Sequence, residues 1–295
     1  MEKKEGKDKS PIQLFGGLAL AVVALGLAVY FYFWMPTPAP SDLKQVAKEI
    51  VEFDRQGKEL AAAKKFDEAI AQYNKALTIN PNDDDVLMDR ALAYYKKKEF
   101  QLALADYELV LANSKKETGA PEEDKSNDAL FSIALCQSEL EHTELAIKGL
   151  HELQSKDSHY IKSYQLLGDI YFKHGDSERA IDVYTQGLRI NPNSAPLHYD
   201  RSLAYQARGM KETAFEDLSM AVDLDKTSLP FRLKHANMAQ LLGKLAIADS
   251  DARAILLIEP DNHSALSWLK HRKIPQPGQD KIVPKQKVET MGKTK

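Results

Sequence analysis

The chain has 295 residues, 28% of them charged, and a formal net charge of −3. Its single cysteine, Cys136, excludes an intramolecular disulfide. Residues 1–10 carry a charge of +1 and residues 270–295 a charge of +6, which leaves −10 on the rest of the chain. This acidic body argues against nucleic-acid binding, because phosphate backbones require clustered lysine and arginine.

Residues 12–35 form a long uncharged stretch that predicts a single transmembrane helix. A helix of this length spans about 36 Å at about 1.5 Å per residue, enough for a hydrocarbon core of about 30 Å. Its C-terminal end is aromatic, which is typical of a membrane–water interface. The alternative is a cleaved signal peptide, but the stretch exceeds the usual apolar region and the prolines after it form a poor cleavage site.

Residues 1–11 hold four lysines, which favours a cytoplasmic N-terminal tail and a body on the opposite side of the membrane. In a bacterium this arrangement would anchor the protein in the inner membrane and place its body in the periplasm. Residues 36–49 are predicted to form a proline-rich linker that leads into the first helix of the body.

An alanine recurs at a nearly fixed interval through the body. Four of the five steps are identical, and the remaining step, from Ala103 to Ala146, is longer by a single short insertion. A fixed period in the range of about 20 to 50 residues predicts a stacked array of similar units, which usually binds rather than catalyses. The periodic alanines are Ala69, Ala103, Ala146, Ala180, Ala214 and Ala248.

The residues around each alanine share a pattern of small, aromatic and proline positions. In the block 161–194 these are Gly168, Tyr171, Tyr184 and Pro192. The pattern resembles the tetratricopeptide repeat (TPR) family. The resemblance implies an all-α fold, a right-handed TPR α-solenoid of about six helix–turn–helix repeats within residues 50–262. The predicted repeats are 50–83, 84–117, 127–160, 161–194, 195–228 and 229–262.

Two segments follow the repeats. Residues 263–273 are predicted to form a capping helix, because an array needs a terminal element with a polar outer face. Residues 274–295 are rich in lysine and proline and poor in large apolar residues, which predicts a disordered basic tail.

The family resemblance also implies a binding groove lined by the first helix of each repeat. The residues at the groove positions are mixed aromatic, aliphatic and acidic, which suits an extended or helical peptide with apolar anchors and basic residues. The predicted groove residues are Asp54, Arg55, Lys58, Asp85, Met88, Asp89, Leu92, Tyr95, Phe131, Leu135, Lys162, Gln165, Asp169, Phe172, Tyr199, Asp200, Leu203, Leu233, Lys234 and Asn237.

The sequence contains no motif typical of an enzyme or a metal site. Its eight histidines are scattered, and no phosphate-binding or dinucleotide-binding fingerprint occurs. We therefore expect no catalytic residue, no metal and no cofactor.

Together these features predict a membrane-anchored, non-catalytic scaffold that binds a protein or peptide ligand in its groove. Such a protein would aid the assembly, translocation or secretion of envelope proteins. Two alternatives remain: a receptor or co-chaperone facing the cytosol from an organelle membrane, and a regulatory subunit of a membrane enzyme complex.

Overall fold

The computed structural model describes residues 40–114 and 125–274, and this part of the chain contains helices and turns but no β-strand. Short turns join most of the thirteen helices found in these two ranges. In chain order they are α1 (Pro40–Ala62), α2 (Phe66–Ile79), α3 (Asp84–Lys96), α4 (Phe100–Ser114), α5 (Ser126–Glu139), α6 (Thr143–Lys156), α7 (Ile161–Lys173), α8 (Ser177–Ile190), α9 (Ala195–Ala207), α10 (Lys211–Leu224), α11 (Leu229–Leu241), α12 (Leu245–Ile258) and α13 (His263–His271).

The helices form a one-dimensional stack. Each helix packs against the helix before it and the helix after it, and α1 to α12 make six pairs. Such stacking buries a continuous core that no single pair could bury alone. The prediction of an all-α helical-repeat solenoid is confirmed. Helix α13 covers the end of the stack, where Leu269 is fully buried against Ile255 and Leu256 of α12.

The periodic alanines lie where the two helices of a pair cross. All six have 0% of their surface exposed, because a small side chain at a crossing allows two helices to approach closely. Each alanine lies near the start of the second helix of its pair, in α2, α4, α6, α8, α10 and α12.

Two pairs contain a closer contact between a glycine and a tyrosine. A Cβ atom added to Gly57 of α1 would lie 2.3 Å from Cε1 of Tyr73 in α2. A Cβ atom added to Gly168 of α7 would lie 2.2 Å from Cε1 of Tyr184 in α8. Each glycine therefore makes room for a buried aromatic ring, which fills the gap between the helices.

The turn inside each pair has a residue in the left-handed region of backbone space. In the fourth pair, Gly175 has φ +81, and the amide of Asp176 donates to the carbonyl of Tyr171 at 2.9 Å. This bond ends the first helix in the manner of a Schellman motif. The equivalent residues are Lys64, Lys98, Glu141, Gly209 and Gly243, with φ between 61 and 75.

Ion pairs with a buried carboxylate link the two helices of a pair. Arg201 of α9 binds Asp217 of α10 through two hydrogen bonds of 2.7 Å, and His198 contacts the same carboxylate at 3.0 Å. Arg90 of α3 binds Asp106 of α4 in the same bidentate way. The sequence did not reveal these pairs as buried.

Several predicted segments lie outside the described residues. These are the N-terminal tail 1–11, the transmembrane segment 12–35, the first part of the linker, the insertion after α4 and the basic tail from residue 275. Within the described ranges, none of the helices has both the length and the apolar character needed to cross a bilayer.

Candidate functional site

The twenty predicted groove residues lie on the first helices of the six pairs, namely α1, α3, α5, α7, α9 and α11. None of them is buried. First helices of adjacent pairs approach each other directly at the α1–α3, α5–α7 and α7–α9 junctions. In a curved stack, the helices on the inner side of the curve lie closer to the corresponding helices of the neighbouring pairs than the helices on the outer side do. The first helices therefore line a concave surface, hereafter the groove.

The groove at the α1–α3 junction contains a lysine between two carboxylates. The Nζ of Lys58 lies 2.6 Å from Oδ2 of Asp54 and 3.2 Å from Oδ2 of Asp89. Burial opposes the charge on Lys58, but the hydrogen bond to Asp54 and the charge on Asp89 outweigh it and raise the pKa of Lys58. A cavity of about 520 Å³ lies beside this lysine and includes Tyr73 and Leu92 in its lining.

The α7–α9 junction has a different arrangement of charge. The amide of Gln165 donates to Oδ2 of Asp200 at 2.7 Å, and the hydroxyl of Tyr184 donates to Oδ1 of Asp169 at 2.6 Å. Among the described residues, neither carboxylate forms an ion pair with a lysine, arginine or histidine. Two acidic groups thus lie side by side on the groove wall.

The surroundings of these two acids disfavour their charged forms. Burial and then the charge on Asp169 raise the pKa of Asp200 to about 7, against the opposing hydrogen bond from Gln165. Burial also raises the pKa of Asp169, although the Tyr184 hydroxyl opposes this effect. Solvent reaches the Asp169 side chain, but the concave wall around it limits how well water solvates its charge.

Aromatic side chains form a second part of the groove. The rings of Tyr199 and Phe231 lie 4.8 Å apart at the α9–α11 junction, and those of Phe131 and Tyr160 lie 5.6 Å apart beside α5. Phe231 and Tyr160 lie near or before a helix start, outside the positions expected for the groove, so the repeat pattern did not reveal them. The hydroxyl of Tyr184 also reaches a groove carboxylate, although Tyr184 was not among the predicted groove residues.

A larger cavity, of about 640 Å³, lies away from the predicted groove. It is lined by turn residues of the third to fifth pairs, where the Arg179 guanidinium stacks on Tyr171 and His174 contacts Thr143. None of the twenty predicted groove residues contributes to its lining.

The described residues offer no evident metal site, and the single cysteine of the chain lies in the interior. No group of three histidine, cysteine, aspartate or glutamate side chains within them is placed to hold a metal ion. Cys136 is fully buried in α5, and burial raises the pKa of its thiol to about 12. At neutral pH this thiol is protonated and therefore a poor nucleophile.

A model of the TPR repeat matches residues 57–98 and 168–209. These two segments are TPR repeats. The two matched segments are equal in length and cover the α1–α3 and α7–α9 junctions.

Individual proteins also match this chain over part of its length or in fold. Serine/threonine-protein phosphatase 5 of Rattus norvegicus is 33% identical over 95 residues, which are 32% of this chain and 19% of the phosphatase. The matched region is thus about a fifth of that relative's length. The match to the structure of Pseudomonas aeruginosa pilF covers 78% of this chain and 99% of the pilF chain, with a TM-score of 0.56 and 16% identity. The match to the structure of Cut9–Hcn1 covers 78% of this chain and 44% of the matched chain, with a TM-score of 0.55 and 17% identity. At these identities the two structures show a shared fold.

Proposed function

We propose that this protein is a non-catalytic interaction scaffold that binds a protein or peptide segment in its TPR groove. The observation that carries the proposal is the set of unburied acidic, amide and aromatic side chains along six successive first helices. Concave surfaces of repeat arrays are extended, so they can engage several side chains of one segment.

We further propose that residues 12–35 anchor the scaffold in a membrane, with the N-terminus cytoplasmic and the array periplasmic. The support is the uncharged span and the lysines before it. The partners would then be proteins that pass through or assemble in the envelope. The cytosol-facing receptor and the regulatory subunit remain the alternatives.

Site-specific photo-crosslinking tests the groove. A benzophenone amino acid replaces Leu92, which is 48% exposed on α3, or Leu109, which is 46% exposed on α4 of the same pair. These two leucines are matched in chemistry and exposure, but only Leu92 belongs to the predicted groove. We expect a partner to crosslink at position 92 and not at position 109. Equal yields at both positions, or none in native membranes, would contradict the groove as a binding surface.

The membrane arm of the proposal has a separate test. The full chain should stay with the membrane fraction after an alkaline wash, and deletion of residues 12–35 should release it. Protease added to intact bacterial spheroplasts should digest the array. Protection of the array would instead favour a cytosol-facing body.

A further inference from the structure

The α1–α3 and α7–α9 junctions use the same three positions of the repeat. Two of the positions lie 15 and 11 residues before the periodic alanine of the first repeat at the junction. The third lies 14 residues before the periodic alanine of the next repeat. At the first junction the positions hold Asp54, Lys58 and Asp89. At the second junction they hold Gln165, Asp169 and Asp200.

The first junction shows how an ammonium group sits at this place in the groove. Lys58 reaches both neighbouring carboxylates, 2.6 Å from Asp54 and 3.2 Å from Asp89. Asp89 occupies the same repeat position as Asp200. The Lys58 ammonium bound to Asp89 therefore shows which kind of cation a carboxylate at this position can bind.

The second junction keeps the carboxylate but loses the cation. Asp169 replaces the lysine, so a negative charge stands where the first junction has a positive one. Only one oxygen of each acid receives a hydrogen bond from the described residues, Oδ1 of Asp169 from Tyr184 and Oδ2 of Asp200 from Gln165. The other oxygen of each acid is left to accept from a ligand.

Among the five junctions, two acids without a lysine between them occur only at this one. The three positions at the three remaining junctions carry mainly apolar side chains, which would not attract a cation. They are Met88, Leu92 and Ser132; Phe131, Leu135 and Leu166; and Tyr199, Leu203 and Lys234.

We infer that the α7–α9 junction binds a lysine side chain of the partner segment between the carboxylates of Asp169 and Asp200. This inference rests on the proposed groove function and names the chemistry that the groove selects. Each carboxylate accepts a charge-assisted hydrogen bond from the ammonium, which relieves the repulsion between the acids. Phe172 and Leu203 lie one turn further along α7 and α9 and can contact an apolar residue beside the lysine.

Selection from a random peptide library tests the inference. The probe is a phage-displayed nonapeptide library, and the bait is the full chain in detergent. We expect a lysine at one position to be enriched among the peptides that compete with one another for the array. The best synthetic peptide should lose at least about tenfold in affinity for Asp169→Asn and for Asp200→Asn, as expected for a charge-assisted hydrogen bond.

The decisive variant is Asp169→Lys, which recreates the residue found at the first junction. Its ammonium can reach Asp200 and occupy the place of the peptide lysine, so peptide binding should be lost while the fold is retained. Circular dichroism and thermal unfolding check the fold. Asp182→Asn, an exposed substitution on α8, is the control and should bind like the wild type.

The outcomes separate the inference from the function on which it rests. Peptides that bind without lysine enrichment, or that still bind Asp169→Lys, overturn the lysine site and leave the groove function standing. A chain that binds no peptide, with or without residues 275–295, overturns both. If lysine peptides bind only after those residues are deleted, the occupant is the chain's own tail and the partner assignment is wrong.

Discussion

The Lys58 ammonium lies 3.2 Å from the Asp89 carboxylate and joins the first helices of two neighbouring repeats. The equivalent contact is absent at the α7–α9 junction, where Asp169 faces Asp200. One position therefore decides whether the groove wall neutralises itself or presents an unpaired negative charge.

The double variant Asp54→Gln/Lys58→Asp should convert the first junction into a second lysine-binding junction. It gives α1 the same residues that α7 has at these positions, and Asp89 already matches Asp200. We expect isothermal titration calorimetry with the selected lysine peptide to show two peptides per chain instead of one. Lys48→Asp, an exposed change on α1, should leave the ratio at one. An unchanged ratio in the double variant would show that the three positions are insufficient.

Asp200 should make the stability of the array depend on pH. Its pKa is raised from 3.8 to about 7, so the folded chain holds a proton that the unfolded chain has lost between these values. The free energy of unfolding contributed by this group therefore falls as pH rises from about 4 to about 7. Asp200→Asn removes the effect.

We expect Asp200→Asn to be more stable than the wild type by at least about 1 kcal/mol near pH 8, with a smaller gain near pH 5, since one pKa unit corresponds to about 1.4 kcal/mol. Chemical denaturation at the two pH values measures the difference. The control is the exposed Asp182→Asn. A gain of the same size at both pH values would mean that the charge on Asp200 is not its cause.

The affinity for a lysine peptide should change with pH in the opposite sense to stability. Both acids must be ionised to attract an ammonium, and Asp200 ionises around pH 7. We expect binding of the selected peptide to strengthen between about pH 6 and about pH 8, as the carboxylate becomes charged. In Asp200→Asn this increase should largely disappear. A pH-independent affinity in the wild type would argue against a role for Asp200.

Asp217 should be essential for the stability of the fifth repeat. It is 5% exposed and accepts hydrogen bonds from Arg201 and from His198. Burial disfavours its charge, yet these bonds outweigh burial and keep the pKa of Asp217 below its usual value. Asp217→Ala leaves the Arg201 charge buried without its partner, which costs about 3–5 kcal/mol. Chemical denaturation should show this loss, whereas Glu216→Ala, at the exposed neighbouring position, should change stability by less than about 0.5 kcal/mol.

The sequence predicted the interior of the array better than its polar contacts. The alanine period located the helix crossings, because burial at a crossing requires a small residue and this requirement recurs in every repeat. The buried carboxylates of Asp106 and Asp217 lie three residues after a periodic alanine, but this position holds an acid in only half of the repeats. Each has an arginine partner on the preceding helix, 16 residues earlier, and nothing in a helical pattern distinguishes it from a surface acid.

The repeat pattern assigned the proposed groove residues to the first helices, but it did not reveal the contacts that they make. The family register identified the first-helix positions, and the structure leaves all twenty unburied. The hydrogen bond between Tyr184 and Asp169 was not predictable, because the repeat pattern assigns Tyr184 to no groove position. A comparison of the first and fourth repeats position by position could have revealed the exchange of Lys58 for Asp169.

Glycine should stabilise the turns of the first three repeats. Lys64, Lys98 and Glu141 have φ between 61 and 64, at the position where the last three repeats have glycine. A side chain in this region costs about 1–2 kcal/mol, and part of that is offset because glycine makes the unfolded chain more flexible. We expect Lys98→Gly to gain about 0.5–1 kcal/mol and Gly209→Ala to lose a similar amount. Thermal unfolding of both variants tests the prediction, and a loss in Lys98→Gly would contradict it.

Gly168→Ala should destabilise the fourth repeat and disturb the groove at the same time. The added methyl group would lie 2.2 Å from Cε1 of Tyr184, whose ring is 1% exposed and cannot move aside freely. We expect a loss of about 1–3 kcal/mol from overpacking, together with weaker binding of the lysine peptide, because the Tyr184 hydroxyl orients Asp169.

Gly149→Ala is the matched control for this substitution. Gly149 also lies inside a helix of the array, α6, and its added methyl group would meet Ala134 at an ordinary 3.8 Å. Alanine favours helix over glycine by about 1 kcal/mol, so this variant should be slightly stabilised. The double variant Gly168→Ala/Tyr184→Leu should recover part of the stability but not the peptide affinity, since the smaller side chain removes the clash and the hydroxyl together. Chemical denaturation and peptide titration of the three variants measure the two effects separately. Full recovery of affinity in the double variant would show that the Tyr184 hydroxyl does not orient Asp169 for binding.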